Sequence, residues 1–303
     1  MKRDHWRRHT EELDPDTDYR RIYAVLAQHE FPWDMLMALS FALFRTYAVP
    51  GIGRLLDETG AFTADTQKRY DDTTLLLAAP GEKGFEHADA RAAIRRINQM
   101  HRAYDIPDHE MRYVLSTFVV VPARWIERFG KRPLTEHEVR ASVRYYTELG
   151  RHMGIRDIPE DYDAFARLMD SYEAEHFAFD PGARRVADAT LDLMTTFYPW
   201  VPDRLMHAFA RSLMDEPLRR SLRYQAPPRL LDRLGPLALR SRGRLLRAAP
   251  ARRRPKQLED IRWIRSYPDG YDIEQLGTFP SGCPVPHVDR PALGSSSGAG
   301  DRR

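Results

Sequence analysis

An all-α fold is the class this sequence predicts, on three observations. Apolar residues recur at helical spacing in segment after segment. Start and stop residues punctuate those segments at about one helix length. The one strand-like run, Phe118-Val-Val-Val121, lies inside a helical repeat. With 303 residues, 42% of them hydrophobic, the chain can bury a sizeable core in one or two domains.

The elements follow in order. Residues 1–16 form a charged arm, Met1-Lys-Arg-Asp-His-Trp-Arg-Arg and then Glu11, Glu12, Asp14 and Asp16, with no apolar h-region behind it. The apolar stretch Met35–Phe44 is too short to span a bilayer and predicts a core helix, or with Trp33 the wall of a channel. Thr63-Ala-Asp65 caps a helix through Arg69 and Leu77 that stops at Pro80-Gly81. Ala88–Tyr104 is the next helix, closed by Ile106-Pro107, and Asp108 opens a long one through Trp125 to Gly130. Thr135-Glu-His-Glu138 is a capping box for a helix reaching Gly154. Ile158-Pro159-Glu160 opens a helix to His176, and further helices run over Pro181–Phe197 and Pro202–Met214. These make one large domain over residues 17–218, followed by an Arg-rich helical annex over 219–279 and a Gly/Ser/Pro-dominated tail, 280–303, with the composition of disorder.

Composition excludes several functions. One cysteine, Cys283, rules out a disulfide framework and any multi-cysteine metal site, and points to a reducing compartment. No Gly-rich phosphate loop, Gly-x-Ser-x-Gly elbow or His-Glu-x-x-His occurs. Glu173 and His176 form a single Glu-x-x-His, half of what a di-iron bundle needs. A cytoplasmic location is the expectation, with peripheral membrane contact open to it. The net charge of +3 hides an asymmetry: Arg219–Lys256 holds twelve arginines and one lysine against Asp232, a local +12, and the remainder carries −9. Leu230, Leu231, Leu234, Leu237, Leu245 and Leu246 interleave with those cations, and Tyr224 is the only aromatic among them. That pattern favours an anionic membrane surface over nucleic acid as partner, unless the arginines pair with the acidic remainder or merely solvate a helix.

Two helix faces carry candidate chemistry. Ile94, Ile97, His101 and Tyr104 fall at i, i+3, i+7 and i+10, so His101 points where the core should be, while Arg91, Arg95, Arg96 and Arg102 lie largely off the stripe. A free imidazole nitrogen facing an apolar cavity is what an axial haem ligand requires. From spacing alone, a core histidine bonded to a backbone carbonyl is the commoner outcome. Arg69, Asp72, Thr73 and Leu76 share a face of the preceding helix, where they need either each other or a polar ligand.

A resemblance bears on that choice. Lys68-Arg-Tyr-Asp-Asp-Thr73, Ala92-Ala-Ile-Arg-Arg-Ile-Asn-Gln-Met-His101 and Tyr113-Val-Leu-Ser-Thr-Phe-Val-Val-Val-Pro-Ala-Arg-Trp125 resemble the MpaB/rubber-oxygenase catalytic domain family. So do Leu134-Thr-Glu-His-Glu138, Tyr145-Tyr-Thr-Glu148 and Met153-Gly-Ile-Arg-Asp-Ile-Pro159, in the same order, over roughly residues 30–220. The resemblance implies a globin-like helical fold around haem b, with His101 as the proximal iron ligand. It implies catalytic roles for Arg69, Asp72 and Thr73, with Arg69 and Thr73 also at the cofactor. It further implies dioxygen and an apolar, isoprenoid or lipid-like substrate attacked at a carbon–carbon double bond. The chain departs from the rubber-cleaving members, which carry lysine where Asp72 stands. Asp72 then either positions dioxygen or a water, or turns away to pair with Arg69. The departure keeps open a non-catalytic haem- or lipid-binding protein.

Overall fold

In the computed structural model, which describes residues 1–257 and 261–278, every regular element is helical. The helices are α1 (His5–Glu11), α2 (Tyr19–Val25), α3 (Pro32–Tyr47), α4 (Pro50–Glu58), α5 (Ala61–Ala64), α6 (Thr66–Lys83) and α7 (Ala88–Arg102). They continue as α8 (Asp108–Phe129), α9 (Glu136–His152), α10 (Tyr162–His176), α11 (Pro181–Thr195), α12 (Asp203–Leu213), α13 (Glu216–Ser221) and α14 (Arg229–Leu246). A π-turn, Leu26–Glu30, extends α2, and a 3₁₀ turn covers Ile273–Gln275. The expected tail and Cys283 lie outside the described residues.

Local chemistry explains most of the boundaries. The Asp65 carboxylate accepts from the Lys68 N–H to start α6, and Asp161, one residue beyond the expected Ile158-Pro159-Glu160, caps α10 by accepting from the Ala164 N–H. The Thr135–Glu138 capping box is complete in both directions. One expected stop is wrong. α6 runs through Pro80 to Lys83 and ends at Gly84, whose φ of 90° only glycine adopts freely. Proline costs a helix one hydrogen bond, and the burial of Ala79, Pro80 and Gly81 offsets it.

The core is built on α3 against α8, where Phe41 meets Trp125 with ring centroids 5.2 Å apart. Thus Phe118–Val121 is helical, as expected, and α3 does belong to the core along one face. α2 packs on α9, with Tyr23 stacked on Tyr145 at 3.9 Å. α4 crosses α11 so closely at Gly53 that a Cβ there would stand 2.4 Å from that of Ala183. A smaller core joins α6 to α7: Leu75, Leu76 and Ala79 meet Ala93, Ile97 and Met100. Leu276 closes it from the C-terminal segment.

That segment, residues 261–278, straps back across α6 and α7. Asp71, fully buried, accepts from the backbone N–H groups of Arg265 (3.0 Å) and Ser266 (2.9 Å) and from the Ser266 hydroxyl (2.7 Å). Arg96 departs from expectation. It is buried rather than solvent-facing, and donates to the carbonyls of Leu276 (2.7 Å) and Thr278 (2.6 Å). Asp71→Ala is expected to release the strap, since it removes three bonds to one carboxylate. Limited proteolysis should then cut within residues 261–278 several-fold faster than in the parent chain, with α1–α14 left intact.

The arm and the annex are both docked. In α1, Thr10 is buried and its hydroxyl donates to Glu138 (3.2 Å). α14 packs on α12 and α8. Among the described residues no single helix is long and apolar enough to cross a membrane. α3 and α4 reach that length and composition only as a pair bent by 98°.

Candidate active site

The site is organised by α6. At 100° per residue, Tyr70, Thr74, Leu77, Ala78 and Gly81 occupy one side of the helix, and Leu75, Leu76 and Ala79 occupy the side that meets α7. Arg69 and Thr73 stand between these two faces.

On the first side lies an apolar cavity of about 460 Å³, within the ~300–1,000 Å³ usual for small-molecule sites. α3 walls it with Trp33, Met35, Leu36, Leu39 and Leu43, so the channel-wall expectation for this helix holds together with the core one. Trp263 of the strap also lines it, its ring stacked on Phe197 at 4.8 Å. The polar groups in the wall are paired off: Ser40 with the Tyr70 hydroxyl (3.1 Å), Tyr23 with Tyr146 (2.7 Å), and the Trp33 indole N–H donating to Tyr198 (3.0 Å). Burial pushes the Tyr70 phenol up to about 12, so it stays protonated. Arg252, Lys256 and Arg262 also line it. Thr73 lines this space; His101 and Arg69 do not.

At the edge of α6, Arg69 and Thr73 are joined. The guanidinium donates to the Thr73 hydroxyl, which in turn donates to the Arg69 carbonyl (2.8 Å). Arg69 also lies over the Phe62 ring, 5.1 Å from its centroid, and forms no ion pair with a carboxylate among the described residues. Burial lowers its pKa. A desolvated guanidinium that feels the Asp72 charge but makes no ion pair with it has room for an anion of its own.

His101, near the C-terminus of α7, is partly buried, and its Nδ1 is enclosed with no hydrogen-bond partner. Burial first, and then the positive charge of Arg69, push its pKa down to about 4, so the ring is neutral at physiological pH. The core histidine bonded to a backbone carbonyl is therefore absent at Nδ1. A neutral imidazole with an orphaned nitrogen beside a guanidinium that makes no ion pair among the described residues matches the donor chemistry of an iron porphyrin, which asks for one nitrogen ligand and brings carboxylates of its own.

Asp72 goes elsewhere. It is buried, takes an ion pair from Lys68 (2.7 Å) and accepts from the Tyr267 hydroxyl. The expected Arg69–Asp72 pairing is not formed, because Lys68, four residues before Asp72, takes the carboxylate on the strap side of the helix. The structure thus brings Arg69, Thr73 and His101 into one neighbourhood and commits Asp72 to the strap. Glu173 is likewise engaged, by Arg45 and by the Tyr113 hydroxyl (3.2 Å), and no group of three or more metal-ligating side chains occurs among the described residues. The contributions of Asp71, Arg96 and Trp263 had no signal in spacing: each depends on a partner far along the chain.

The chain is similar to known proteins. The family described as "ER-bound oxygenase mpaB/B'/Rubber oxygenase, catalytic domain" matches residues 31–248, past the expected boundary at 218 and through α14. The ER-bound oxygenase mpaB' of Penicillium brevicompactum is 31% identical over 227 residues, 68% of this chain and 53% of that protein. The ER-bound oxygenase mpaB of the same organism is 33% identical over 230 residues, 69% of this chain and 57% of its own length. That of Penicillium roqueforti (strain FM164) is 30% identical over 230 residues, 69% and 76% respectively. The chain thus spans just over half the length of the two Penicillium brevicompactum proteins. With the match covering most of its length, the chain belongs to the mpaB/rubber oxygenase catalytic domain family.

Proposed function

We propose that the chain is a haem b-dependent oxygenase that uses dioxygen on an apolar, isoprenoid or lipid-like substrate at a carbon–carbon double bond. The observation that carries this reading is the neutral, unpartnered His101 nitrogen beside Arg69, which makes no ion pair among the described residues, across one helix from the apolar cavity. The globin-like arrangement and a cytoplasmic setting belong to the same proposal.

His101 would hold the iron, and Arg69 would meet a carboxylate of the porphyrin. When bound, the haem supplies the redox chemistry toward dioxygen. The protein does the rest. A depressed pKa keeps the His101 lone pair available across the neutral range. Thr73 places a hydroxyl at the border between Arg69 and the cavity. Leu36, Leu39, Leu43, Leu77 and Trp263 hold an apolar chain and exclude water. The commitment of Asp72 to Lys68 and Tyr267 favours a second reading, a haem- or lipid-binding protein without turnover.

Reconstitution with hemin, followed by absorption and oxygen-uptake measurements with squalene, separates the two. A stoichiometric Soret band with squalene-dependent oxygen consumption is the expected result. A Soret band without uptake selects the binding protein, and a featureless spectrum overturns the haem reading.

A further inference from the structure

The long amphipathic helix α14 has a face that the fold leaves uncovered. Gly235, Pro236, Leu239 and Gly243 form its buried side, and Gly243 lies so close to α8 that a Cβ would stand 2.5 Å from the Phe129 carbonyl oxygen. At 100° per residue, Leu230, Leu234, Leu237 and Leu245 project on the opposite side. They are 68%, 43%, 49% and 76% exposed. A row of leucines on the side away from the core leaves much of its apolar surface in water.

Cations accompany that row along one flank. Arg233, Arg240 and Arg244 fall within ~100° of its centre and form no ion pairs among the described residues. On the other flank, Arg242 reaches inward to Asp34 (3.0 Å) and lies 3.9 Å from the Trp33 ring, which walls the cavity. α12, packed against α14, is preceded by Trp200, 76% exposed, whose ring meets Tyr198 edge-on. Tyr198 is the partner of the Trp33 indole.

We infer that α14 is an interfacial helix that lays its leucine row into an anionic lipid bilayer, with Arg233, Arg240 and Arg244 meeting the headgroups. Charge decides the occupant. A leucine row bordered by unpaired guanidinium groups complements acyl chains beneath anionic phosphates. Phosphates of nucleic acid would leave the leucines in water, and the helix offers no aromatic ring to stack on bases. Through Arg242 and Trp33, the same helix joins the bilayer-facing row to the wall of the cavity.

Co-sedimentation of the full chain tests this with phosphatidylcholine vesicles, without and with about 30% phosphatidylserine. The parent chain is expected to partition onto the phosphatidylserine vesicles, less so as salt rises. Replacing Leu230, Leu234 and Leu237 together by Ser should lower the partition coefficient roughly tenfold or more. Replacing Arg233, Arg240 and Arg244 together by Gln should remove the preference for phosphatidylserine. All six side chains point away from the core, so thermal unfolding should be unchanged; Leu234→Glu alone serves if the triple variant does not fold. Vesicle binding unaffected by either triple variant overturns the inference, as does no binding by the parent chain at low salt. So do a parent dimer that the serine variant converts to monomer, and duplex DNA that displaces the chain from vesicles.

Discussion

His101→Ala is expected to abolish the Soret band of the hemin-reconstituted chain, with haem affinity at least roughly 100-fold lower, since losing even the groups that orient a metal ligand costs about 10–100-fold. Oxygen uptake with squalene should disappear with it. The fold should survive, because the Nδ1 removed has no hydrogen-bond partner to leave behind. Without haem, the same pair of proteins reports on acid stability. The pKa of His101 lies at about 4 in the folded chain, against ~6.5 when unfolded. The unfolded state therefore binds more protons between those values, and stability is lost as pH falls from about 6.5 toward 4. With His101 partly exposed, the loss attributable to it is about 1–3 kcal/mol. Urea unfolding at pH 7 and at pH 4.5 should show the parent losing more than His101→Ala. An equal loss in both would mean that the imidazole is protonated in the folded chain.

Arg132→Met is expected to be the most damaging substitution outside the site. Its guanidinium grips both oxygens of Glu138, at 2.7 and 2.8 Å, and donates to Glu30 at 3.1 Å. Glu138 is fully buried, and its other partners, the Thr10 hydroxyl and the Thr135 N–H, are neutral. Removing one partner of a buried pair leaves an uncompensated charge and costs about 3–5 kcal/mol, roughly 6–15 °C in Tm for a domain of this size. Glu138 starts α9, which carries Tyr146 into the cavity wall, so the loss should reach substrate binding as well. Arg140→Met is the control. Its pair with Asp16 is exposed on both sides and should move Tm little. Equal shifts from the two variants would remove the special role of the buried pair.

The legible parts of the chain were those decided within a turn or two of helix. The reciprocal bonds of Thr135 and Glu138 span three residues, and the Asp65 cap and the apolar face of α7 are equally local. His101 was readable for the same reason, since its helical phase places it beside the stripe it shares with Ile94 and Ile97. Pro80 shows where local reading fails: the penalty for proline, about 3 kcal/mol or more, is offset by the burial of that part of α6. Arg96 shows the same in reverse. An arginine off the apolar stripe reads as solvated, yet two carbonyls 180 and 182 residues away make its burial tolerable.

By itself, then, the sequence determined the helices, most of their ends, the family and the helical phase of His101, because backbone hydrogen bonding and side-chain periodicity act over a few residues. Only the tertiary structure decided that Asp72 serves Lys68 and Tyr267, that Arg69 makes no ion pair among the described residues, that Trp263 lines the cavity and that the leucines of α14 face outward. A buried charge takes whichever partner the fold brings within reach, and a helix face is buried only if another element arrives to cover it; neither is encoded in the spacing of neighbouring residues.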